Sequence, residues 1–78
     1  MNLAQAPLRQ RVTVTTVTAS CAGRRRLTEL GLRGGAEVQV LRRAPFRGPL
    51  ALRVGDGVLA LRLDEARGVL VAPPDGRG

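Results

Sequence analysis

The chain has 78 residues and a net charge of +7, and all 13 of its basic residues are arginine. A chain of this length forms one small domain with a limited core, which argues against a large internal active site. One cysteine and no histidine exclude an intrachain disulfide and leave no tetrahedral metal-ligand set.

The N-terminal third begins with an arm and a strand. Residues 1–9 are interpreted as an arm whose Leu3 packs on the core, with Leu8 as a second candidate for the same role. Threonine and valine dominate residues 10–18, a composition that favours a β-strand. Val17 leaves the alternating phase of this strand, which indicates either a bulge or the end of the strand near Thr16.

The next segment is predicted to form a helix over about residues 21–30 that is terminated by a glycine. Ser20 is the candidate N-cap residue. Leu27 and Leu30 are three residues apart, so we expect them to bury on one helical face. Gly31 ends the helix, because a left-handed residue after the last turn favours glycine.

Proline and glycine residues divide the rest of the chain into short, mostly β, elements. The predicted elements are a strand over 36–43 ended by Pro45, a hairpin over 50–54 and 58–63, a helical turn near 64–66 capped by Asp64, and a strand over 69–71. We expect a single domain over 1–72 and a disordered tail over 73–78. About five short antiparallel strands, one inserted helix and one helical turn indicate a mainly β protein, a small SH3-like barrel.

Residues 24–45 resemble the FeoA family, small proteins that accompany the FeoB ferrous-iron transporter. The matching motifs are Arg26-Leu27, Leu30-Gly31-Leu32, the Gly35–Val38 turn and Arg42–Pro45, followed by Gly48-Pro49-Leu50, residues 59–62 and Glu65-Ala66. Several motifs in the family's order are more specific than any one of them. The resemblance extends over roughly residues 3–71 and implies the same SH3-like barrel with its helix inserted after the first strand.

The resemblance implies a non-catalytic accessory protein of ferrous-iron uptake whose partner is a FeoB-type membrane GTP-binding transporter. Docking would use the helix and neighbouring loops on a cytosolic face of the transporter. The longest apolar runs have four residues, at 58–61 and 69–72, against the roughly 20 that a membrane-spanning helix needs. With no secretory signal visible, we expect a cytoplasmic protein, peripheral at the inner membrane through its partner. Self-association stays open.

The partner-binding candidates combine aliphatic or aromatic anchors with an arginine rim. They are Arg24, Leu32, Arg33, Val38, Arg42 and Phe46. Phe46 is either a core plug or an exposed anchor, and the sequence leaves both open. The family context is transition-metal transport, yet no metal ligand, cofactor or catalytic residue is predicted. Cys21 is expected to be a small buried hydrophobic residue.

Two other functions compete with this interpretation. A basic barrel can associate with nucleic acid through its arginines, although single-strand binders usually supply several aromatic platforms and this chain has one phenylalanine. A similar barrel occurs at the C-terminus of some metal-dependent repressors, but a DNA-reading helical module would have to accompany it. Catalysis has no support, since the Asp64-Glu65 pair suits helix capping and no phosphate-binding loop is present.

Overall fold

The computed structural model describes residues 1–74 and contains one five-stranded antiparallel sheet in the order β4-β3-β2-β1-β5. The strands are β1 (Arg11–Val17), β2 (Glu37–Arg43), β3 (Leu50–Val54), β4 (Gly57–Leu61) and β5 (Val69–Ala72). A 3-10 turn (Leu3–Gln5) precedes them, helix α1 (Arg24–Glu29) joins β1 to β2, and helix α2 (Leu63–Arg67) joins β4 to β5. The predicted mainly β fold is confirmed. The predicted tail over 73–78 falls mostly outside the described residues.

One aliphatic core packs against the inner face of the curved sheet, and every strand contributes residues to it. Val12 and Val14 of β1 are buried, and the register of β1 against β5 shifts after Val14. This shift decides between the two predicted alternatives in favour of a bulge, and Val17 returns to the inner face. Leu3 is also buried, as predicted, whereas the second candidate of the arm, Leu8, is exposed and does not pack on the core.

Helix α1 is shorter than the predicted 21–30, because a turn occupies its expected first residues. Cys21 is buried, and its Sγ donates to the carbonyl oxygen of Glu65 at 3.3 Å. Gly23 is the N-cap residue with φ 68°, a left-handed conformation that favours glycine, so Ser20 does not cap the helix. Arg24 is therefore the first residue of the helix.

The C-terminal end of α1 has the expected glycine stop. Gly31 adopts φ 104°, and the Leu32 N–H donates to the carbonyl oxygen of Leu27 at 2.9 Å. This pattern, with the Leu27 and Leu32 side chains both buried, is a Schellman cap with its apolar contact. Leu30 is 43% exposed, which corrects the prediction that it buries beside Leu27.

Glu65 joins α2 to α1 and is the only buried charged residue among those described. Its Oε1 accepts the Arg62 N–H at 2.9 Å, so Arg62 is the N-cap position and the predicted Asp64 cap was wrong. Its Oε2 accepts from the Arg26 guanidinium at 2.8 Å. Burial alone would raise the pKa of Glu65, but the hydrogen bonds and charges of Arg26 and Arg62 outweigh it and hold the pKa below its ordinary value of 4.5.

The thiol of Cys21 lies beside the same junction. Burial, with the nearby Glu65 and Asp64 carboxylates, raises its pKa above the ordinary value of 9.0. The thiol therefore stays protonated near neutral pH and packs as a small hydrophobic group.

The β3–β4 hairpin turns on two residues, Gly55 and Asp56. Gly55 has φ 57° and is the first central residue of the turn, the position that type II′ hairpins reserve for glycine. Pairing then runs without a shift from Val54–Gly57 to Leu50–Leu61. Strand β4 ends at Leu61, two residues earlier than predicted.

Candidate protein-docking site

An open groove of about 610 Å³ lies where the end of β2, the following loop and the β3–β4 hairpin meet. We call it the hairpin groove, and its lining is Arg42, Arg43, Ala44, Pro45, Pro49, Leu50, Ala51, Val58, Leu59 and Ala60. Eight of these ten residues are apolar, and the two arginines supply the charge. Such a surface suits an aliphatic side chain of a protein partner better than a small polar substrate.

The loop over residues 44–49 holds the chain's one aromatic side chain outward beside this groove. The Ala44 N–H donates to the Pro49 carbonyl oxygen at 2.9 Å, and the Gly48 N–H donates to the Pro45 carbonyl oxygen at 3.1 Å. Phe46 is 98% exposed, which decides the open question in favour of an exposed side chain.

The 44–49 loop is also strained. Phe46 and Arg47 have φ 58° and 62°, in a region that costs a non-glycine residue about 1–2 kcal/mol. A chain that keeps a bulky apolar residue in such a conformation, fully exposed, gains nothing for its own stability. This combination marks the loop as a candidate contact surface.

The two arginines of the groove have different roles. Arg43 donates to the carbonyl oxygens of Ala4 and Ala6, so it fastens the N-terminal arm to the end of β2. Arg42 makes no ion pair or side-chain hydrogen bond within residues 1–74. Arg42 is therefore the rim charge that is available to a partner carboxylate.

The structure separates the six sequence-predicted contact residues into three places. Arg42 lines the groove, and the exposed Phe46 directly follows the lining residue Pro45. Leu32 and Val38 are 0% and 2% exposed, so as core residues they present no surface to a partner, which corrects their assignment as anchors. Leu32 and Val38 are apolar because they pack in the hydrophobic core.

Arg24 and Arg33 lie at the opposite end of β2 from the groove. That strand of seven residues spans roughly 20 Å. The Arg24 Nε donates to the Val17 carbonyl oxygen at 3.3 Å, and Arg33 donates to the Thr28 carbonyl oxygen at 3.2 Å. Both side chains therefore support the turns around α1, and one partner side chain cannot contact them together with Phe46.

The contribution of the β3–β4 hairpin to the groove was not predicted from the sequence. Val58 and Ala60 are exposed on β4, opposite Arg53 and Ala51 of β3. The available signal was that these apolar residues alternate with the core residues Leu59 and Leu61. They therefore occupy the solvent face, where polar residues are usual.

The residues that the structure describes hold no cluster of three or more histidine, cysteine or acidic side chains that could bind a metal. Within the same residues, no helix is both long and apolar enough to cross a membrane. The fold and this surface define a small SH3-like barrel domain with an exposed apolar, arginine-rimmed groove.

The FeoA domain family model matches residues 1–73, and the chain belongs to the FeoA family. The family is associated with ferrous iron transport in bacteria. A search of curated proteins finds no match.

Solved structures agree with this assignment. The FeoA protein of Chlorobium tepidum is 39% identical, with a TM-score of 0.85 over 97% of this chain and 72% of that one. A zinc-complexed FeoA of Stenotrophomonas maltophilia is 38% identical, with a TM-score of 0.81 over 92% and 89% of the two chains. The latter is described as an SH3 domain protein and a suggested ferrous iron transport activating factor.

The barrel also occurs within a larger protein. A manganese-dependent transcriptional repressor matches 94% of this chain with a TM-score of 0.82 at 18% identity, and the match covers 41% of the repressor. At that identity the likeness concerns the fold alone.

Proposed function

We propose that this protein is a non-catalytic accessory factor of ferrous iron uptake that binds a FeoB-type membrane iron transporter through the hairpin groove and Phe46. The family assignment supports the transport context. The observation that carries the binding role is a 98% exposed phenylalanine held by a strained loop beside an apolar groove. On this proposal the protein is cytoplasmic and reaches the inner membrane through its partner.

The binding energy would come mainly from Phe46 and from one aliphatic side chain of the partner that enters the groove. Buried aromatic anchors at interface centres typically contribute about 2 kcal/mol or more. Arg42 would pair with a carboxylate at the rim and raise the association rate, an effect that weakens with salt. Docking would then bias the assembly or conformation of the transporter.

The test is co-purification of the protein with the full-length transporter, combined with ferrous iron uptake in cells that lack this chain. We expect the wild-type protein to co-purify with the transporter and to restore uptake. Phe46→Ala should weaken binding by roughly 30-fold and reduce uptake in parallel. A wild-type protein that restores no uptake and shows no association with the transporter would overturn the proposal.

A further inference from the structure

The two edge strands of the sheet, β4 and β5, differ in whether another segment covers their outer edge. The outer edge of β5 is covered by the N-terminal arm, since Asn2 bridges Leu70 and the Val71 N–H donates to the Met1 carbonyl oxygen at 2.8 Å. Strand β4 ends the sheet on the other side. Within residues 1–74, no segment pairs with its outer edge.

The hairpin register shows which backbone groups of β4 face outward. Val54 and Gly57 flank the two-residue turn and form a hydrogen-bonded pair, as that turn requires. Hydrogen-bonded and non-hydrogen-bonded pairs alternate along antiparallel strands. Leu59 and Leu61 therefore bond to β3, whereas the N–H and C=O groups of Val58 and Ala60 point away from it.

This edge lacks the features that usually protect a free strand. Strand β4 contains no proline or charged residue, and its pairing with β3 has no bulge. The Val58 side chain is 56% exposed and Ala60 is also exposed. Both line the hairpin groove, so the free edge and the candidate docking site form one continuous surface.

The charges around the edge indicate what can pair with it. Arg53 lies opposite Val58 across the hairpin, and Arg42 lies opposite Ala51, which in turn faces Ala60. Arg62 follows β4 directly. A second copy of the chain carries the same net charge of +7, so like-charge repulsion opposes edge-to-edge pairing of two copies. An acidic segment would pair with these arginines.

We infer that β4 accepts an extended, acidic and aliphatic segment of the transporter as a sixth strand of the sheet. The segment would exchange backbone hydrogen bonds with Val58 and Ala60, place an aliphatic side chain in the hairpin groove, and direct carboxylates at Arg53 and Arg42. This is recognition by strand addition, in which backbone bonds give affinity and side-chain pockets give specificity. The inference rests on the proposed function.

Residue-resolved hydrogen exchange tests strand addition directly. The protein is labelled alone and in complex with detergent-solubilised full-length transporter. We expect the Val58 and Ala60 amides to exchange at least about tenfold more slowly in the complex, while the Leu59 and Leu61 amides, already bonded to β3, change little. Unchanged exchange at Val58 and Ala60 in a formed complex would overturn strand addition and leave the proposed function intact.

A proline variant provides a second, independent test. Ala60→Pro removes an outward N–H, and proline is tolerated on edge strands where that group faces solvent. We expect Ala60→Pro to bind the transporter about tenfold or more weakly than the matched Ala60→Ser, which changes the same groove position but keeps the N–H. If both variants bind the transporter equally well and Phe46→Ala still weakens binding, strand addition is refuted while the proposed function stands.

Two further outcomes would overturn the inference in different ways. Protection of the Val58 and Ala60 amides without the transporter, in a protein that sediments as a dimer, would assign the edge to a second copy. A wild-type protein that does not bind the transporter would remove the proposed function and the inference together.

Discussion

The Arg26 guanidinium and the Glu65 carboxylate lie 2.8 Å apart and connect α1 to α2 across 39 positions of the chain. The Glu65 side chain is 10% exposed, whereas that of Arg26 is 52% exposed. Glu65 also caps α2 through the Arg62 N–H. One buried carboxylate therefore holds the two short helices on the same side of the barrel.

Replacing Glu65 should cost stability. We expect Glu65→Ala to lower the free energy of unfolding by about 1–3 kcal/mol, because a buried charged acceptor and a helix cap are both lost. Solvent screens the half-exposed Arg26, so the cap contributes much of this loss. The control is Glu29→Ala, which removes an exposed pair with Arg25 at 3.7 Å and should cost less than about 0.5 kcal/mol. Chemical denaturation of both variants gives the comparison, and equal losses would contradict the assigned role.

The same residue predicts an acid dependence of stability. The pKa of Glu65 is lower in the folded protein than its ordinary value of 4.5, so its contribution is fully present above pH 4.5 and is lost as the pH falls through the folded value. Wild-type stability should therefore fall more steeply below pH 4.5 than that of Glu65→Gln. Parallel stability curves in this range would show that Glu65 has no favourable ionisation in the folded state.

A glycine at the same junction should resist substitution. A Cβ on Gly68 would lie 2.5 Å from both the Cβ and the Sγ of Cys21, so Gly68→Ala forces a shift that we expect to cost about 1–3 kcal/mol. Gly57→Ala is the matched control, since its nearest neighbour would be the Val54 carbonyl oxygen at 3.8 Å. Thermal unfolding of the two variants should differ clearly, and equal midpoints would refute close packing at Gly68.

Because the 44–49 loop is strained, we expect a substitution at Phe46 to change stability and transporter binding in opposite directions. Phe46→Gly should raise the free energy of unfolding by up to about 1 kcal/mol, because it relieves a left-handed residue and removes no buried contact. The same variant should lose transporter binding. Arg47→Gly, which relieves similar strain but keeps the aromatic ring, should gain stability and retain most binding. A destabilised Phe46→Gly would mean that the ring packs on the protein.

Nucleic acid binding should be weak for this surface. The net charge of +7 attracts phosphates without providing stacking platforms, so duplex and single-stranded probes should bind with dissociation constants of about 10⁻⁶ M or weaker near physiological salt. Fluorescence anisotropy titrations at two salt concentrations measure this. Tighter, sequence-selective binding together with no transporter association would favour a nucleic-acid role.

The sequence predicted the hairpin and the glycine-terminated end of α1 because local rules determine them. The buried Leu50 and Leu52 alternate with less buried positions, and Gly31 marks a left-handed cap. The start of α1 was missed because it depends on a distant contact. Cys21 meets the Glu65 carbonyl oxygen 44 residues away, and this contact replaces the expected helical turn at residues 21–23.

Only part of the docking surface could be predicted from the sequence, because the rest depends on contacts between distant segments. Arg42 and Phe46 could be named because charge and aromaticity stand out in this composition. Whether Phe46 turns inward or outward depends on left-handed backbone at two non-glycine residues, which no residue type signals. The contribution of Val58 appears only once the hairpin register places it beside the loop.

The most direct test of the account compares transporter binding by two double variants of equal charge change. Arg42→Glu with Phe46→Ala alters the groove, whereas Arg25→Glu with Leu30→Ala removes an exposed arginine and a 43% exposed leucine on the α1 side. We expect the groove variant to lose binding by about 30-fold or more and the α1-side variant to remain within about threefold of wild type. Loss of binding by the α1-side variant, with the groove variant unaffected, would contradict the account.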